Sequence, residues 1–478
     1  MNLTKKSKLI PVISYIYLVL STLIFVTGWC NLPTAIIGAT IILISLYFTC
    51  KNAPEIWAPN DRKQILFTIS IFVIALLWVY LSGIGCLSFQ NADHKCRNPL
   101  FEILVADKWP VVYYEYSVIL TYYIGFWMPS AIVGKLLQSI ELGYLFQVLW
   151  ATTGIFLFFC LLLQNVKRKN YLPIFVFIFF SGMDFLGCIA MQKLNYAFTP
   201  ISHMEWWYGR YQFSSFTTQL FWVFNQAIPA WLAVMLMYNE KNNKSLFFIY
   251  SCMLICSTFP AAGLLPFVLF WYFKNGKTYN YFKTALQNIK STIVSSLTFQ
   301  NIVGTLFVSA VMVPYLTGNI ATEHTEGMTL LQNTFICEWL VTFFFFEVGI
   351  YLTIIYLKHK RNILYYMCFV CFLVYPFITI GATWDFCMRA TIPALVLLCL
   401  MVIKVFESRK FRQTYKLLYV ILIIAFLIGA LTPIHEITRT VIFTSQGYTK
   451  TVSDLSFQNF FGRTDGNLFL KYFGKKIA

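Results

Sequence analysis

Three polar stretches, set among long apolar runs, carry the residue types that could do chemistry. The first runs from about 84 to 112 and contains Asp93, His94 and Lys95 in succession, followed by an amphipathic segment from Leu100 to Pro110 with Glu102 and Asp107. A carboxylate held at fixed depth beside an apolar run can take a proton from a hydroxyl; the plainer alternative is that Asp93 starts a helix or hydrates the loop. The second stretch, 192–216, holds His203, Glu205, Trp206, Trp207 and Arg210. Tryptophans beside His, Glu and Arg can stack on a ring and hydrogen-bond its hydroxyls, although an aromatic belt at a membrane surface has the same composition. The third is short, Trp384 to Arg389. Arg389 at a membrane surface can grip phosphate oxygens through two N–H groups, or it can pair with Asp385 four residues earlier. Asp184, in Ser181-Gly182-Met183-Asp184, lies inside an apolar run, where an acid is costly and is a functional candidate for that reason; Glu347 is a second charge within a run.

The elements that must position these residues are membrane spans. The chain is 59% hydrophobic and 12% charged, about half the charge an ordinary soluble chain needs. A span takes about 20 apolar residues. Such runs occur at 9–28, 31–50, 66–83, 145–165, 171–191, 217–238, 297–316, 335–357, 363–382, 390–405 and 417–433. Two shorter runs, 245–258 and 260–273, form a hairpin broken at Phe259-Pro260, which belongs in the protein interior because a buried proline is tolerated there. The expectation is an all-α, polytopic transmembrane helical bundle of about thirteen spans. The net charge of +17 then marks topology rather than nucleic-acid binding, because the basic residues cluster in short loops between spans. Lys5, Lys6 and Lys8 precede a first span with no small-residue cleavage site, so that span is expected to be retained. The 13 cysteines show no zinc spacing. Cys86 and Cys96 flank the first polar stretch and could bridge it.

Segment 113–134 decides the orientation. It is apolar enough to span, but five tyrosines, Trp127 and Pro129 suit a helix lying in the interface. With that reading the basic loops 51–63, 166–170, 239–244, 274–292, 358–362 and 404–416 all fall on one side, the cytoplasm. The N-terminus joins them there, and the three polar stretches and the tail 434–478 lie outside. The chain then divides into a membrane unit, 1–433, and an extracytoplasmic tail, 434–478. No internal repeat is present.

This layout resembles the GT-C class of membrane glycosyltransferases, which use a polyprenyl-phosphate-linked sugar on the outer face of the membrane. The resemblance rests on an acid in the first large outer loop (Asp93), interfacial helices after it (near 100–110 and 113–134), and a fan of spans with basic inner loops. The stretch from Asp93-His94-Lys95 to Trp109-Pro110-Val111, the loop from His203 to Trp207 and the loop from Asp385 to Arg389 are similar to those of bacterial members. The resemblance implies that Asp93 deprotonates the acceptor hydroxyl and Arg389 holds the lipid phosphate. It also implies as partners a lipid-linked sugar, a glycan, lipid or protein acceptor, and the bilayer of the cell membrane. Many members carry two neighbouring acids in the first loop, often with a divalent metal. Here Asp93 is followed by His94, which leaves a metal open and moves any second acid to Glu102, Asp107 or Glu205. No Gly-rich nucleotide loop is present.

Other readings compete. A polysaccharide polymerase or ligase would favour arginine-rich outer loops, whereas these lean acidic. A transporter or flippase would carry repeats and charges deep in several spans. A purely structural membrane protein is the blandest alternative.

Overall fold

The computed structural model describes residues 6–197, 203–209, 211–275, 282–319, 329–330, 341–379, 385–448 and 460–476. It is a helical bundle with a few two- and three-residue strands, and eight helical stretches are long and apolar enough to cross a membrane: Leu9–Trp29, Leu32–Lys51, Arg62–Leu81, Ile140–Leu163, Phe216–Asn239, Gln300–Thr317, Val341–His359 and Lys416–Ser445. Two shorter apolar helices, Ile363–Phe377 and Ile392–Phe406, accompany them. The chain is therefore a multi-pass membrane protein with eight such helices among the described residues.

In chain order the helices are α1 (Leu9–Trp29), α2 (Leu32–Lys51), α3 (Arg62–Leu81), α4 (His94–Ala106), α5 (Met128–Leu136), α6 (Ile140–Leu163), α7 (Leu172–Ile178), α8 (Asp184–Ala190), α9 (Leu194–Ala197), α10 (Phe216–Asn239), α11 (Leu246–Met253) and α12 (Thr258–Asn275). They continue as α13 (Phe282–Ser296), α14 (Thr305–Thr317), α15 (Ile350–His359), α16 (Ile363–Val374), α17 (Asp385–Ala390), α18 (Ile392–Phe406), α19 (Arg409–Thr414), α20 (Lys416–Gly429), α21 (Leu431–Ser445) and α22 (Leu468–Tyr472). The strands are β1 (Lys6–Ser7), β2 (Ile56–Trp57), β3 (Val112–Tyr113), β4 (Val118–Leu120), β5 (Thr329–Leu330), β6 (Ile378–Thr379) and β7 (Phe461–Arg463).

Helix α10 is the axis of the bundle. Every residue from Phe216 to Met237 is buried, so apolar residues face every side of the helix, as one ringed by others requires, with Thr217, Thr218, Gln219, Asn225 and Gln226 as buried polar exceptions. Trp231 sits between Trp78, Phe158, Phe177 and Phe216, with ring centroids 5.2–6.0 Å away. By contrast α2 and α3 leave Ile36, Ile37, Leu43, Leu66, Ile69 and Leu77 exposed, an apolar face that suits lipid. Helices α11 and α12 are mostly interior, as expected for the short hairpin, but the break falls at 254–257 and Pro260 lies in the first turn of α12.

Two expected elements differ. The run 171–191 is not one span: α7 ends at Ile178 and α8 begins at Asp184. The interruption is held from a distance, by Met183 N–H donating to the Phe346 carbonyl (2.9 Å) and Tyr351 hydroxyl donating to the Ser181 carbonyl (3.0 Å). Gly182 is required there, since a Cβ would come within 2.2 Å of Glu347 Oε2. Segment 113–134 is not a span, and neither is it an interfacial helix throughout. β3 and β4 form a hairpin, the tail strand β7 pairs with β4 (Val118 opposite Arg463), and the helical parts are a short 3-10 turn at Tyr114–Tyr116 and α5. Valine, isoleucine and tyrosine at 111–123 favour extended backbone once a partner strand is present.

Basic and aromatic segments separate to opposite ends. At one end Lys8 Nζ reaches the Lys51 carbonyl, β1 pairs with β2, the Lys167 amide donates to Glu407, and Lys358 reaches the Lys404 carbonyl. At the other lie α4, the β3–β4–β7 sheet, α17 and the far half of α21.

Candidate functional site

At the aromatic end Asp93 stands at the start of α4, yet its side chain makes no capping bond. Instead its Oδ2 accepts from Arg97 Nη2 at 2.7 Å, one helical turn on. Its other oxygen has no hydrogen-bond partner among the described residues, and the side chain is 37% exposed. Arg97 is buried, its guanidinium 5.6 Å over the Phe224 ring of α10. His94 is fully buried beside the same ring, with Gln90 Nε2 3.2 Å from its Nδ1. Burial and the Arg97 charge push its imidazole down to about 3, so it is a neutral packing and positioning group.

The third polar stretch comes to this same place. Arg389 pairs with Asp385 at 2.9 Å and donates to the Tyr123 hydroxyl at 3.1 Å. Tyr122 in turn donates to Tyr123. Burial works against the Arg389 charge, but Asp385, the two tyrosines and Asp93 more than offset it and raise its pKa. Arg389 is thus a buried cation braced by carboxylates and phenols. Asp93, Arg97, Asp385, Arg389, Tyr122 and Tyr123 form one electrostatic group, since Arg97 also acts on both tyrosines.

A second group lies on the other side of the same α10 turn. Glu436 of α21 accepts from Trp222 Nε1 (2.9 Å) and Arg439 Nη2 (2.5 Å), and Arg439 lies 5.5 Å over the Trp222 ring. His203 packs on Trp206 (4.5 Å) and Trp222 (4.9 Å). Burial, with Arg439 and His435 nearby, keeps His203 well below the usual histidine range.

The third group is acidic. Asp184 is fully buried at the start of α8 and accepts from Ser181 (2.8 Å) and Thr432 (2.8 Å). Glu347 lies beside it and accepts from Trp207 Nε1 at 2.8 Å. Glu205 accepts from Gln212 and from the Ser215 amide. Burial first, and the Asp184 charge second, push its carboxyl up to about 8.

The expected residues thus divide. Asp93 and Arg389 converge, and Asp385 joins them. His203, Trp206 and Glu205 lie across α10, while Trp207 is locked to Glu347 and is not free to stack on a ligand. Glu102 accepts from Tyr144 at 3.0 Å, facing α6, and Lys95 is exposed. Arg210 lies outside the described residues. Cys86 and Cys96 are separate thiols, not the disulfide considered; Cys96 donates to the Asp93 carbonyl. Among the described residues no three of His, Cys, Asp and Glu converge as metal ligands. Arg97, Tyr123, Glu436 and Arg439 were not expected. The i, i+4 spacing of Asp93 and Arg97, and the i, i+3 spacing of Glu436 and Arg439, were the available signals. No protein-family model, curated protein or solved structure matches this chain.

Proposed function

We propose that the protein is a glycosyltransferase that moves a sugar from a polyprenyl-phosphate carrier to an envelope glycan, lipid or protein acceptor on the outer face of the cell membrane. One observation carries this reading: a half-exposed carboxylate with a free oxygen, Asp93, shares an electrostatic group with two buried guanidiniums, Arg97 and Arg389. Such transfer needs a base for the acceptor hydroxyl and cations for the departing phosphate. The acceptor oxygen bonds to the anomeric carbon as its proton passes to the free oxygen of Asp93. The bond from that carbon to the phosphate oxygen breaks, and the lipid phosphate leaves with the electron pair, its charge met by Arg389 and Arg97. Tyr123 and Asp385 orient Arg389, and His94 holds the start of α4 against Phe224.

In the test, a strain lacking the gene is complemented with Asp93→Asn and the glycan product measured. Asn keeps the size and can still accept from Arg97, so the protein should accumulate normally while transfer falls about a hundredfold to ten-thousandfold. A well-accumulated Asp93→Asn protein with full transfer overturns the assignment.

A second reading, a transporter or lipid flippase, is supported by the broken α7–α8 helix with the Asp184–Glu347 acids at its break, since such breaks line transport paths. It predicts that the purified protein moves a fluorescent polyprenyl phosphate across vesicles and that Glu347→Gln stops it. Vesicles with no such movement remove this reading.

A further inference from the structure

The turn of α10 from Trp222 to Gln226 gathers buried polar atoms without protein partners. Asn225 and Gln226 are 0% and 1% exposed, and neither the oxygen nor the nitrogen of either amide has a hydrogen-bond partner among the described residues. The helix departs from helical backbone at Val223 (φ −135°, ψ 35°), just ahead of them. Around the same turn, Glu436 holds Trp222 through Oε2 while its Oε1 makes no hydrogen bond and lies 4.0 Å from His435 Nδ1, and His203 packs on Trp222 with an Nδ1 that makes no hydrogen bond and lies 4.0 Å from Glu205 Oε2; Arg97 lies over Phe224 on the other side, its Nη1 without a hydrogen bond. Buried polar groups are nearly always satisfied, and leaving one unmet is costly. A leucine would fill either amide position at lower cost, whereas the other buried polar residues of the helix, Thr217, Thr218 and Gln219, are hydrogen-bonded, so the two amides serve something other than stability.

The mixture of groups specifies a ligand class. An anion would call for donors without facing acceptors, and a lipid chain for neither. Here neutral amides that both donate and accept sit with one carboxyl, one imidazole and the ring of Trp222, the chemistry that meets a ring bearing several hydroxyls. We infer that residues 222, 225 and 226 of α10, with His203 and Glu436, form a subsite for an uncharged polyhydroxylated ring, the sugar carried on the lipid phosphate. This rests on the glycosyl-transfer reading above.

The test uses the full chain purified in detergent and its thermal unfolding. The probes are farnesyl phosphate alone and farnesyl phosphate bearing glucose, galactose, mannose or N-acetylglucosamine. Farnesyl phosphate should raise Tm, and at least one sugar-bearing probe should raise it further. Asn225→Leu and Gln226→Leu should leave the unliganded Tm unchanged or raise it by about 2 °C. They should keep the farnesyl phosphate shift and lose the sugar increment. Asn225→Ala and Gln226→Met are run alongside in case a leucine variant misfolds. A farnesyl phosphate shift with no sugar increment, or an increment that survives in the folded variants, overturns the subsite and leaves the transfer reading standing. If no probe shifts Tm, the transfer reading itself fails, and the subsite with it. A fall in unliganded Tm in all four variants assigns the amides to structure and also overturns the subsite.

Discussion

At the scale of single residues, the pairing of acid with arginine decides what each group can do. Arg389 is held by Asp385 and Tyr123 and has an unpartnered Nε, so a phosphate oxygen can add to it without displacing its support. Lysine in its place would keep one charge and lose the fork of donors. Hydrogen bonds to charged groups are worth about 1.5–3 kcal/mol. Arg389→Lys should therefore raise the KM for the lipid-phosphate donor about tenfold to a hundredfold while leaving accumulation unchanged, as steady-state kinetics in detergent would show. An unchanged KM would take Arg389 out of the donor site. Glu205 gives a pH signature of a different kind. Its carboxyl is raised to about 8 in the folded protein, so the native state holds a proton that the unfolded chain gives up near pH 4–5. Its stability contribution is present below that range and is lost as pH rises towards 8. Glu205→Gln keeps the neutral form at every pH. Between pH 5 and 8 the wild-type Tm should fall relative to that of Glu205→Gln, and parallel curves would contradict the assignment.

At the scale of elements, the sequence showed long helices well and interruptions poorly. Hydropathy reads local composition, and α1, α2, α3, α6 and α10 are continuous apolar runs whose backbone needs are met internally. The run 171–191 is as apolar, yet it breaks because Phe346, Tyr351 and Thr432, each more than 150 residues away, supply the partners at 181–184. Nothing in the run itself announces them. Segment 113–134 failed for the same reason, since its strands are completed by β7 from the end of the chain. Of the site, Asp93 and Arg389 were legible from residue type beside a span end, whereas Arg97 and Arg439 became visible only once helix phase put them over Phe224 and Trp222. The β7 strand has a testable role in that site. It sets Phe460 on Tyr122 (ring centroids 4.6 Å apart) and bonds the Thr121 amide, next to the tyrosines that brace Arg389. Gly462 passes so close to the Gly318 carbonyl that a Cβ would lie 1.8 Å from its oxygen. Because both partners are backbone, Gly462→Val should detach the strand. Limited proteolysis should then cut the tail ahead of 460 in the variant faster than in wild type, with donor KM rising as for Arg389→Lys. A variant with wild-type cleavage and KM would show that the strand does not support the site.

At the scale of the whole molecule, charge and chemistry are segregated along the bundle axis. Lys8, Lys51, Lys167, Lys358 and Lys404 meet at one end through contacts between segments far apart in sequence. The Arg–acid pairs of α4, α17 and α21 gather at the other. Lysine and arginine near span ends are retained in the cytoplasm during insertion, so the orientation expected from the basic segments, and needed by the proposed transfer, puts the basic end inside and Asp93 and Arg389 outside. A full span at 113–134 would have placed 166–170 on the other side, and the hairpin found there removes that conflict. The exposed positions Asn170 and Tyr448 report the two ends. In intact cells a membrane-impermeant maleimide should label Tyr448→Cys and leave Asn170→Cys unlabelled until the membrane is opened, each measured above the background of the native cysteines. Labelling of Asn170→Cys alone would turn Asp93 and Arg389 towards the cytoplasm, where a lipid-linked donor of the outer face could not reach them, and labelling of both would overturn the assignment of the two ends to opposite faces. The outer-face glycosyl-transfer reading therefore depends on this measurement as much as on any substitution in the site.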